Sequence, residues 1–236
     1  MENRIKRILG GNEEKKFFSS LVLTGKVVYD IGAWTGKGTT LLFSDLVGEA
    51  GLVYAFEPFK SSFSKLIQNT KSRENVMSFQ VGLSSKKERR KLFVPFKTEG
   101  RASMDRKIQE TFLKKREIYD IVEVSVYTLD KFIEKHNLRL PDFVKIDTEG
   151  MESEILLGMT NTIYKCKPQL LIELHGADRE SKIASTYKIL AFLLLMNYNL
   201  YHVETKRKVT NIPGVYEGHI FASKAETKLD RRQRIQ

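Results

Sequence analysis

Short runs of β-branched and aromatic residues alternate with longer segments of helical hydrophobic spacing along most of the chain. The short runs predict strands over 26–31, 51–56, 76–81, 142–147, 169–173, 199–203 and 218–223. Helices are predicted over 39–47, 61–71 and 179–196, with one more beginning after Gly150. Strands and helices that alternate in this way are typical of a parallel sheet joined by crossover helices. The pattern therefore predicts an α/β protein.

The segment 84–141, which we call the flap, interrupts this alternation. Two runs of alternating apolar and polar residues, 91–95 and 122–126, lie in it on either side of a polar segment with helical character. Runs of this kind are typical of strands with one buried face. The flap is therefore predicted to be an insertion of two strands and a helix in one domain over 26–223. A helical extension over 1–25 and a basic polar tail over 224–236 are predicted to flank this domain.

The composition is that of a soluble globular domain, with 41% apolar and 29% charged residues in a chain of 236. The longest apolar run, 189–196, is far shorter than the ~20 residues that a membrane span requires. The first residues lack the apolar run of a signal peptide, and Cys166 is the single cysteine, so no intramolecular disulfide can form. These features predict a cytoplasmic protein without a membrane span.

The formal net charge of +11 favours contact with anionic partners such as nucleic acid, phosphorylated glycans or acidic lipid. The basic residues occur in short runs scattered along the chain, without the interleaved aromatic residues of single-strand binding proteins. A solvated basic surface explains the same charge. The charge therefore leaves a nucleic-acid partner open without favouring it.

A glycine-containing turn, Asp30 to Gly36, follows the first predicted strand directly. Glycine lets the backbone turn sharply and lets a ligand approach it closely. The spacing of Gly32 and Gly36 fits neither a phosphate loop nor the dinucleotide pattern G-x-G-x-x-G. The carboxylate of Asp30 would repel a pyrophosphate but suits a ligand with an ammonium group. S-adenosylmethionine, which carries an amino group and a sulfonium, is such a ligand.

An acidic residue, Glu57, ends the second predicted strand, 25 residues after Gly32. A carboxylate at this place can accept hydrogen bonds from both hydroxyls of a ribose. A surface glutamate before a turn-forming proline would give the same sequence. A nucleotide-dependent dehydrogenase also remains open at this point.

Several carboxylates cluster at the end of the fourth predicted strand, in the block 144–152. Open α/β sheets build their sites at the carboxyl ends of strands. Thr148 or Glu149 could instead cap the following helix, which would account for one acid but not for the whole set. Lys145 lies inside this apolar strand and can neutralise a neighbouring acid.

These motifs together resemble the FkbM-type methyltransferases, over roughly 27–175. The blocks that carry the resemblance, in order, are Asp30-Ile31-Gly32, Phe56-Glu57-Pro58, Val81-Gly82-Leu83-Ser84, Tyr127-Thr128-Leu129-Asp130, the block 145–152 and Ile172-Glu173-Leu174-His175. The resemblance implies a doubly wound, mostly parallel seven-stranded sheet of the class I, Rossmann-like kind. It also implies S-adenosylmethionine as cofactor and O-methylation of a hydroxyl on a sugar, a glycan or a small metabolite.

The resemblance also assigns roles to individual residues. Asp30 and Gly32 would face the methionine part of the cofactor, and Glu57 the ribose. The stretch 82–84 would border the adenine, although it lacks the acidic residue that many methyltransferases have there. The full set of expected cofactor-binding residues is Asp30, Gly32, Ala33, Glu57, Pro58, Gly82, Leu83, Ser84 and Asp147.

Methyl transfer to a hydroxyl requires a positioned acceptor and a group that takes its proton. Asp147 is our first candidate for the general base or a positioning acceptor, and Glu149, Glu173 and His175 follow. Asp147 and Glu173 could also hold Mg²⁺, which prefers oxygen ligands. The flap is expected to select the acceptor, and the sequence does not determine the oligomeric state. A nucleic-acid (RNA) methyltransferase and a non-catalytic nucleoside-cofactor-binding protein remain as alternatives.

Overall fold

The computed structural model describes residues 13–96, 99–116, 118–209 and 215–224. Its strands are β1 (Val27–Ile31), β2 (Leu52–Phe56), β3 (Val76–Phe79), β4 (Gly82–Leu83), β5 (Glu88–Pro95), β6 (Tyr119–Tyr127), β7 (Phe143–Ile146), β8 (Gln169–Glu173), β9 (Asn199–His202), β10 (Arg207–Lys208) and β11 (His219–Ser223). Its helices are α1 (Glu13–Ser20), α2 (Thr39–Val47), α3 (Lys60–Thr70), α4 (Arg106–Lys114), α5 (Leu129–His136), α6 (Glu152–Gly158), α7 (Thr160–Cys166) and α8 (Arg179–Leu195). A 3-10 turn covers Glu99–Arg101.

The large sheet has the strand order β10-β9-β11-β8-β7-β1-β2-β3. The run from β8 to β3 is parallel, whereas β11 pairs antiparallel with both β8 and β9. The predicted doubly wound, mostly parallel α/β fold is therefore confirmed. The described residues form eight strands in this sheet, not the predicted seven, because β10 pairs with β9. A strand of two residues is too short to show an alternating pattern.

The central strand β1 is buried along its whole length, and the two cores of the domain lie on its two faces. Tyr29 and Ile31 pack into one core, and Val28 packs into the other together with Phe43 of α2. Strands that are covered on both faces are continuous apolar runs, which is why β1 could be predicted from sequence. Packing on both sides fixes the position of the carboxyl end of β1.

A second sheet, with the strand order β4-β6-β5, joins β5 and β6 of the flap to β4, which directly precedes the flap. Strand β5 pairs antiparallel with β6 over its full length, and α4 lies between them in sequence. The flap segment also contains α5, whose Leu129 and Phe132 pack into the core of the main domain. The helix predicted after Gly150 is divided, because α6 ends and α7 begins at Met159.

The N-terminal helix α1 is anchored by Phe18, which is fully buried and packs edge-on against Phe43. The remainder of the predicted extension, 1–12, and the tail over 225–236 lie outside the described residues. Within the described ranges, every helix is too short or too polar to cross a membrane.

Candidate active site

The strand order reverses at β1: β2 and β3 follow on one side of β1, and β7 and β8 lie on its other side. Gly32, directly after β1, has a φ of +84°, and its N–H donates to the carbonyl of Phe56 at 3.0 Å. A Cβ atom at Gly32 would lie 1.8 Å from the carbonyl oxygen of Asp147. Only glycine therefore allows the ends of β1 and β7 to approach each other this closely. This approach brings the glycine turn and Asp147 to the same place.

Glu57 is held at the end of β2 by two backbone groups. The N–H of Trp34 donates to its Oε2 at 3.0 Å, and the N–H of Phe59 donates to its Oε1 at 2.8 Å. Burial raises the pKa of Glu57 to about 7, although both hydrogen bonds act in the opposite direction. The carboxylate is therefore fixed in orientation and titrates near neutral pH.

Asp30 is fully buried and lies beneath the N-terminus of α2. The hydroxyls of Thr39 and Thr40 donate to its Oδ2 at 3.0 and 2.6 Å, and burial raises the pKa of its carboxyl. Its Oδ1 has no hydrogen-bond partner among the described residues. Asp30 thus ties β1 to α2, and its side chain does not line the cavity described next.

One cavity lies at the carboxyl ends of β1, β2 and β7, and it measures about 580 Å³ when its solvent-open mouth is included. Seven of the predicted site residues line it, namely Gly32, Glu57, Pro58, Gly82, Leu83, Asp147 and Glu149. Asp30, Ala33, Ser84, Glu173 and His175 are not among its lining residues. The other lining residues are Ile31, Trp34, Phe56, Val81, Leu92, Gly100, Ala102, Met104 and Thr148.

The flap supplies four of these lining residues, Leu92, Gly100, Ala102 and Met104, which sequence reasoning missed. A Cβ atom on Gly100 would lie 3.4 Å from the indole of Trp34, so the flap passes directly over this ring. We expected the flap on the acceptor side, yet part of it closes the cavity beside the glycine turn. No motif or spacing in the sequence indicates these contacts, because they depend on how the second sheet packs on the first.

Ser84 lies behind the cavity wall. It is fully buried, and its hydroxyl donates to Glu154 of α6 at 2.8 Å. Ser85 and Arg90 donate to the same carboxylate oxygen at 3.0 and 2.7 Å. The Ser84 side chain therefore fastens the flap to α6.

A second group of predicted residues converges beyond Asp147, around the imidazole of His175; we call His175, Asp147, Glu149 and Glu173 the histidine cluster. The Nε2 atom of His175 lies 3.7 Å from Asp147 Oδ1, 3.8 Å from Glu149 Oε1 and 3.6 Å from Glu173 Oε1. On its other side, Nδ1 lies 3.0 Å from Glu152. Glu152 is fully buried and also accepts from the N–H groups of Thr148 and Gly150, at 3.2 and 3.0 Å.

The pKa values in this cluster shift in different directions, so its members differ in how readily they take up a proton. Burial lowers the pKa of His175, but Glu152 and the neighbouring acids outweigh it and raise the value to about 10. Burial raises the pKa of Asp147, but the ammonium of Lys145, 2.6 Å away, and His175 outweigh it, so this pKa is lowered. Burial raises the pKa of Glu149 despite His175. At neutral pH, His175 is thus an imidazolium and Asp147 a weak base.

Asp147, Glu173 and His175 each offer one ligand atom, and these atoms lie within 4.8 Å of one another. The predicted Mg²⁺ pair is therefore adjacent, with His175 as a third donor. The ammonium of Lys145 already contacts Oδ2 of Asp147 and neutralises part of the negative charge. A cation at this place would have to compete with Lys145 and with the proton on His175.

The sheet topology, the glycine turn after β1 and the acid at the end of β2 define a class I methyltransferase-like α/β protein. The model of the family described as the methyltransferase FkbM domain matches residues 30–200, and the chain belongs to this family. The resemblance stated from the motifs is thereby confirmed. Membership supports S-adenosylmethionine as methyl donor and gives no support to Mg²⁺.

The chain is similar to a hexuronic acid methyltransferase, AglP, of Haloferax volcanii, with 25% identity over 176 residues. The match covers 72% of this chain and 66% of AglP, somewhat less than two thirds of the relative. The methyltransferase FkbM of Methylobacillus flagellatus is a structural neighbour with a TM-score of 0.54 and 17% identity, covering 86% of this chain and 45% of that one. A putative rRNA-methylase of Clostridium thermocellum has a TM-score of 0.50 and 12% identity, covering 90% and 94%. These two structures show the shared fold.

Proposed function

We propose that this protein transfers the methyl group of S-adenosylmethionine to a hydroxyl of a sugar or glycan. The observation that carries the proposal is a single cavity lined by Gly32, Glu57 and Asp147, with the histidine cluster beside it. Each of the three residues follows a different strand, so the cavity lies where the carboxyl ends of β1, β7 and β2 meet, which is where open α/β sheets bind their ligands. The chain's membership of a methyltransferase family supports the reaction class.

The residues that line this cavity would hold the cofactor. Glu57 would accept hydrogen bonds from the two ribose hydroxyls, since its oxygens are already oriented by backbone N–H groups. The apolar part of the wall, which includes Val81, Leu83 and Met104, suits the faces of an adenine. The turn at Gly32 would border the methionine part, with Pro58 and Gly82 completing the wall, and Ala33 would support the turn from behind by packing against Leu66. Ser84 and Asp30 would act indirectly, by fixing the flap and α2.

The acids beside the cavity fit the charge of the donor. A sulfonium is positive, and Asp147 stays ionised at neutral pH because Lys145 and His175 lower its pKa. An ionised but weakly basic carboxylate attracts a cation and orients a hydroxyl without removing its proton. We assign Asp147 this positioning role.

Glu149 is the better candidate for the general base. It lines the cavity, and burial raises its pKa, so its carboxylate accepts a proton more readily than Asp147 does. His175 is already protonated at neutral pH and cannot take a further proton. As the hydroxyl oxygen forms its bond to the methyl carbon and the carbon–sulfur bond breaks, the hydroxyl proton passes to Glu149. The products are a methyl ether and S-adenosylhomocysteine.

The similarity to a hexuronic acid methyltransferase supports a sugar as the acceptor. The test is incubation with methyl-labelled S-adenosylmethionine and, in parallel, a glucuronate-containing oligosaccharide, the matching neutral oligosaccharide and RNA. We expect label in a sugar fraction that survives mild alkaline hydrolysis, since an ether is stable and a methyl ester is not. Label in RNA, with binding that weakens steeply with salt, would instead favour a nucleic-acid methyltransferase. Cofactor binding without transfer to any acceptor would favour a non-catalytic protein.

Chelation tests the metal prediction for Asp147 and Glu173. Because Lys145 already supplies a positive charge at Asp147, we expect activity to survive dialysis against a strong chelator. Loss of activity that returns with Mg²⁺ would show that a cation displaces Lys145 from this carboxylate. The same assay without acceptor would show whether cofactor binding alone needs the cation.

A further inference from the structure

A second opening, which we call the groove, lies between the flap and the helices α6 and α8. It measures about 1370 Å³ when its solvent-open mouth is included. Met104 lines both the groove and the cofactor cavity, and Glu149 of the cavity is followed directly by Gly150 of the groove. A Cβ atom on Gly150 would lie 2.8 Å from the Cβ atom of Asp105, so the start of α4 rests on this backbone. The groove therefore begins within one residue of the proposed general base.

Apolar side chains make up much of the groove. Met151 is 2% exposed, and Phe192 of α8 is partly buried against the core of the main domain. In contrast, Leu157 of α6 and Leu195 of α8 are 56% and 81% exposed. All four side chains line the same groove, so it presents a continuous apolar surface to solvent. Surfaces of this kind on a folded domain often mark a binding site.

Two cations lie on different walls of the groove. Arg106 begins α4 on the flap side, and Lys188 lies in the second half of α8. Both residues are exposed, and the side chain of Arg106 is 90% exposed with its Nε 3.5 Å from Glu110. Ion pairs at such exposure are weak, so the guanidinium can turn to a ligand at little cost.

The two acids that line the groove are already engaged by the protein. Asp105 caps α4, since its Oδ1 accepts from the N–H of Ile108 at 2.9 Å. Glu154 Oε2 accepts from the hydroxyl of Ser84 at 2.8 Å and from the guanidinium of Arg90 at 2.7 Å. Arg90 also lines the groove, and its charge offsets that of Glu154. The charge that the groove offers to a ligand is therefore positive.

We propose that the groove binds the part of an acidic oligosaccharide that lies beyond the methylated sugar, with Arg106 and Lys188 contacting its carboxylates. The inference rests on the proposed function, in which the reacting hydroxyl lies at Glu149. The C–H faces of pyranose rings are apolar and suit the surface formed by Leu157 and Leu195. Carboxylates on successive sugars suit two cations on different walls, and the formal net charge of +11 favours a polyanionic ligand.

The first arm of the test measures binding by calorimetry with S-adenosylhomocysteine present and needs no turnover. Arg106→Gln and Lys188→Gln should each raise Kd for the glucuronate-containing oligosaccharide about threefold, and the double variant about tenfold, because each removes one exposed ion pair. Affinity for free glucuronate should not change, since a single sugar does not extend into the groove. The matched controls are Arg89→Gln, whose guanidinium contacts Glu123 on the flap sheet, and Lys165→Gln on the exposed side of α7.

The second arm measures turnover. In Arg106→Gln and Lys188→Gln, KM for the oligosaccharide should rise about threefold. Both kcat and KM for S-adenosylmethionine should stay unchanged, because contacts far from the reacting atoms act equally on the ground state and the transition state. The two control variants should match the unaltered protein in every constant.

Equal Kd values in the groove variants and the controls would overturn the inference, as would absence of oligosaccharide binding by the unaltered protein. It would also be overturned if the groove variants bound RNA or phosphatidylglycerol vesicles more weakly and the oligosaccharide as before. Groove-dependent binding without turnover would count against the proposed function alone. Turnover that neither substitution affects would count against the groove alone.

Discussion

Replacing Gly32 by alanine is expected to separate the ends of β1 and β7 and to destroy the candidate cofactor cavity. The new Cβ atom would lie 1.8 Å from the carbonyl oxygen of Asp147, far inside any tolerated contact. Relief requires the two strand ends to move apart by roughly 1 Å or more. That movement breaks the hydrogen bond from the N–H of Asp147 to the carbonyl of Ile31, now 3.0 Å long.

The cost can be divided into three parts. A non-glycine residue at a φ of +84° costs about 1–2 kcal/mol, and overpacking a tight contact costs about 1–3 kcal/mol. Loss of one buried backbone hydrogen bond adds about 1 kcal/mol. We therefore expect the free energy of unfolding to fall by about 3–6 kcal/mol.

Two other glycines provide matched controls. Gly25 has a φ of +72° with nothing within 4 Å of its would-be Cβ, so Gly25→Ala should cost only the strain of about 1–2 kcal/mol. Gly38 has a φ of −84° and equally open space, so Gly38→Ala should cost less than about 1 kcal/mol.

Urea unfolding followed by circular dichroism measures all three variants, and calorimetry measures their affinity for S-adenosylmethionine. The reasoning is refuted if Gly32→Ala is no less stable than Gly25→Ala and still binds the cofactor. That result would mean that the ends of β1 and β7 are not in close contact.

Three further outcomes are expected. Burial raises the pKa of Glu57 to about 7, and the ribose hydroxyls prefer its ionised form, so the affinity for S-adenosylmethionine should fall about tenfold from pH 8 to pH 6. Calorimetry should show weak binding by Glu57→Gln without this pH dependence. Glu149→Gln should lower kcat by about 10²–10³-fold with little change in cofactor affinity, and kcat of the unaltered protein should fall as acid protonates Glu149. Unchanged turnover in Glu149→Gln would exclude Glu149 as the general base. The pKa of His175 is raised to about 10 from 6.5, so its stabilisation is complete below pH ~6.5 and disappears through pH ~10. The free energies of unfolding of the unaltered protein and of His175→Gln, measured with urea, should differ by on the order of 4 kcal/mol near pH 6 and converge at pH 10. A difference that stays constant with pH would contradict the assignment.

The central strands could be predicted from sequence because burial on both faces makes them continuous apolar runs. Strand β8 was predicted at its observed bounds, and β1 and β2 to within one residue. Helix α5 was missed, although its signals were present in the sequence. Thr128 caps this helix by accepting from the N–H of Lys131, and apolar residues at 129, 132 and 133 have helical spacing. The helix was missed because it lies within the segment that was interpreted as an inserted flap.

The candidate site could be predicted only where its residues follow strands directly. Gly32, Glu57 and Asp147 were found because the carboxyl ends of parallel strands meet at one edge of the sheet. Met104 and Trp34 were missed as cavity residues, since packing of the flap brings them there.

A crystal structure with S-adenosylhomocysteine would test the cofactor site most directly. We predict that both ribose hydroxyls bind the carboxylate of Glu57, and that the adenine lies against Leu83 and Met104. The sulfur should face Asp147 and Glu149, beside the imidazole of His175. A nucleoside bound outside this cavity, or a ribose that makes no contact with Glu57, would contradict the account.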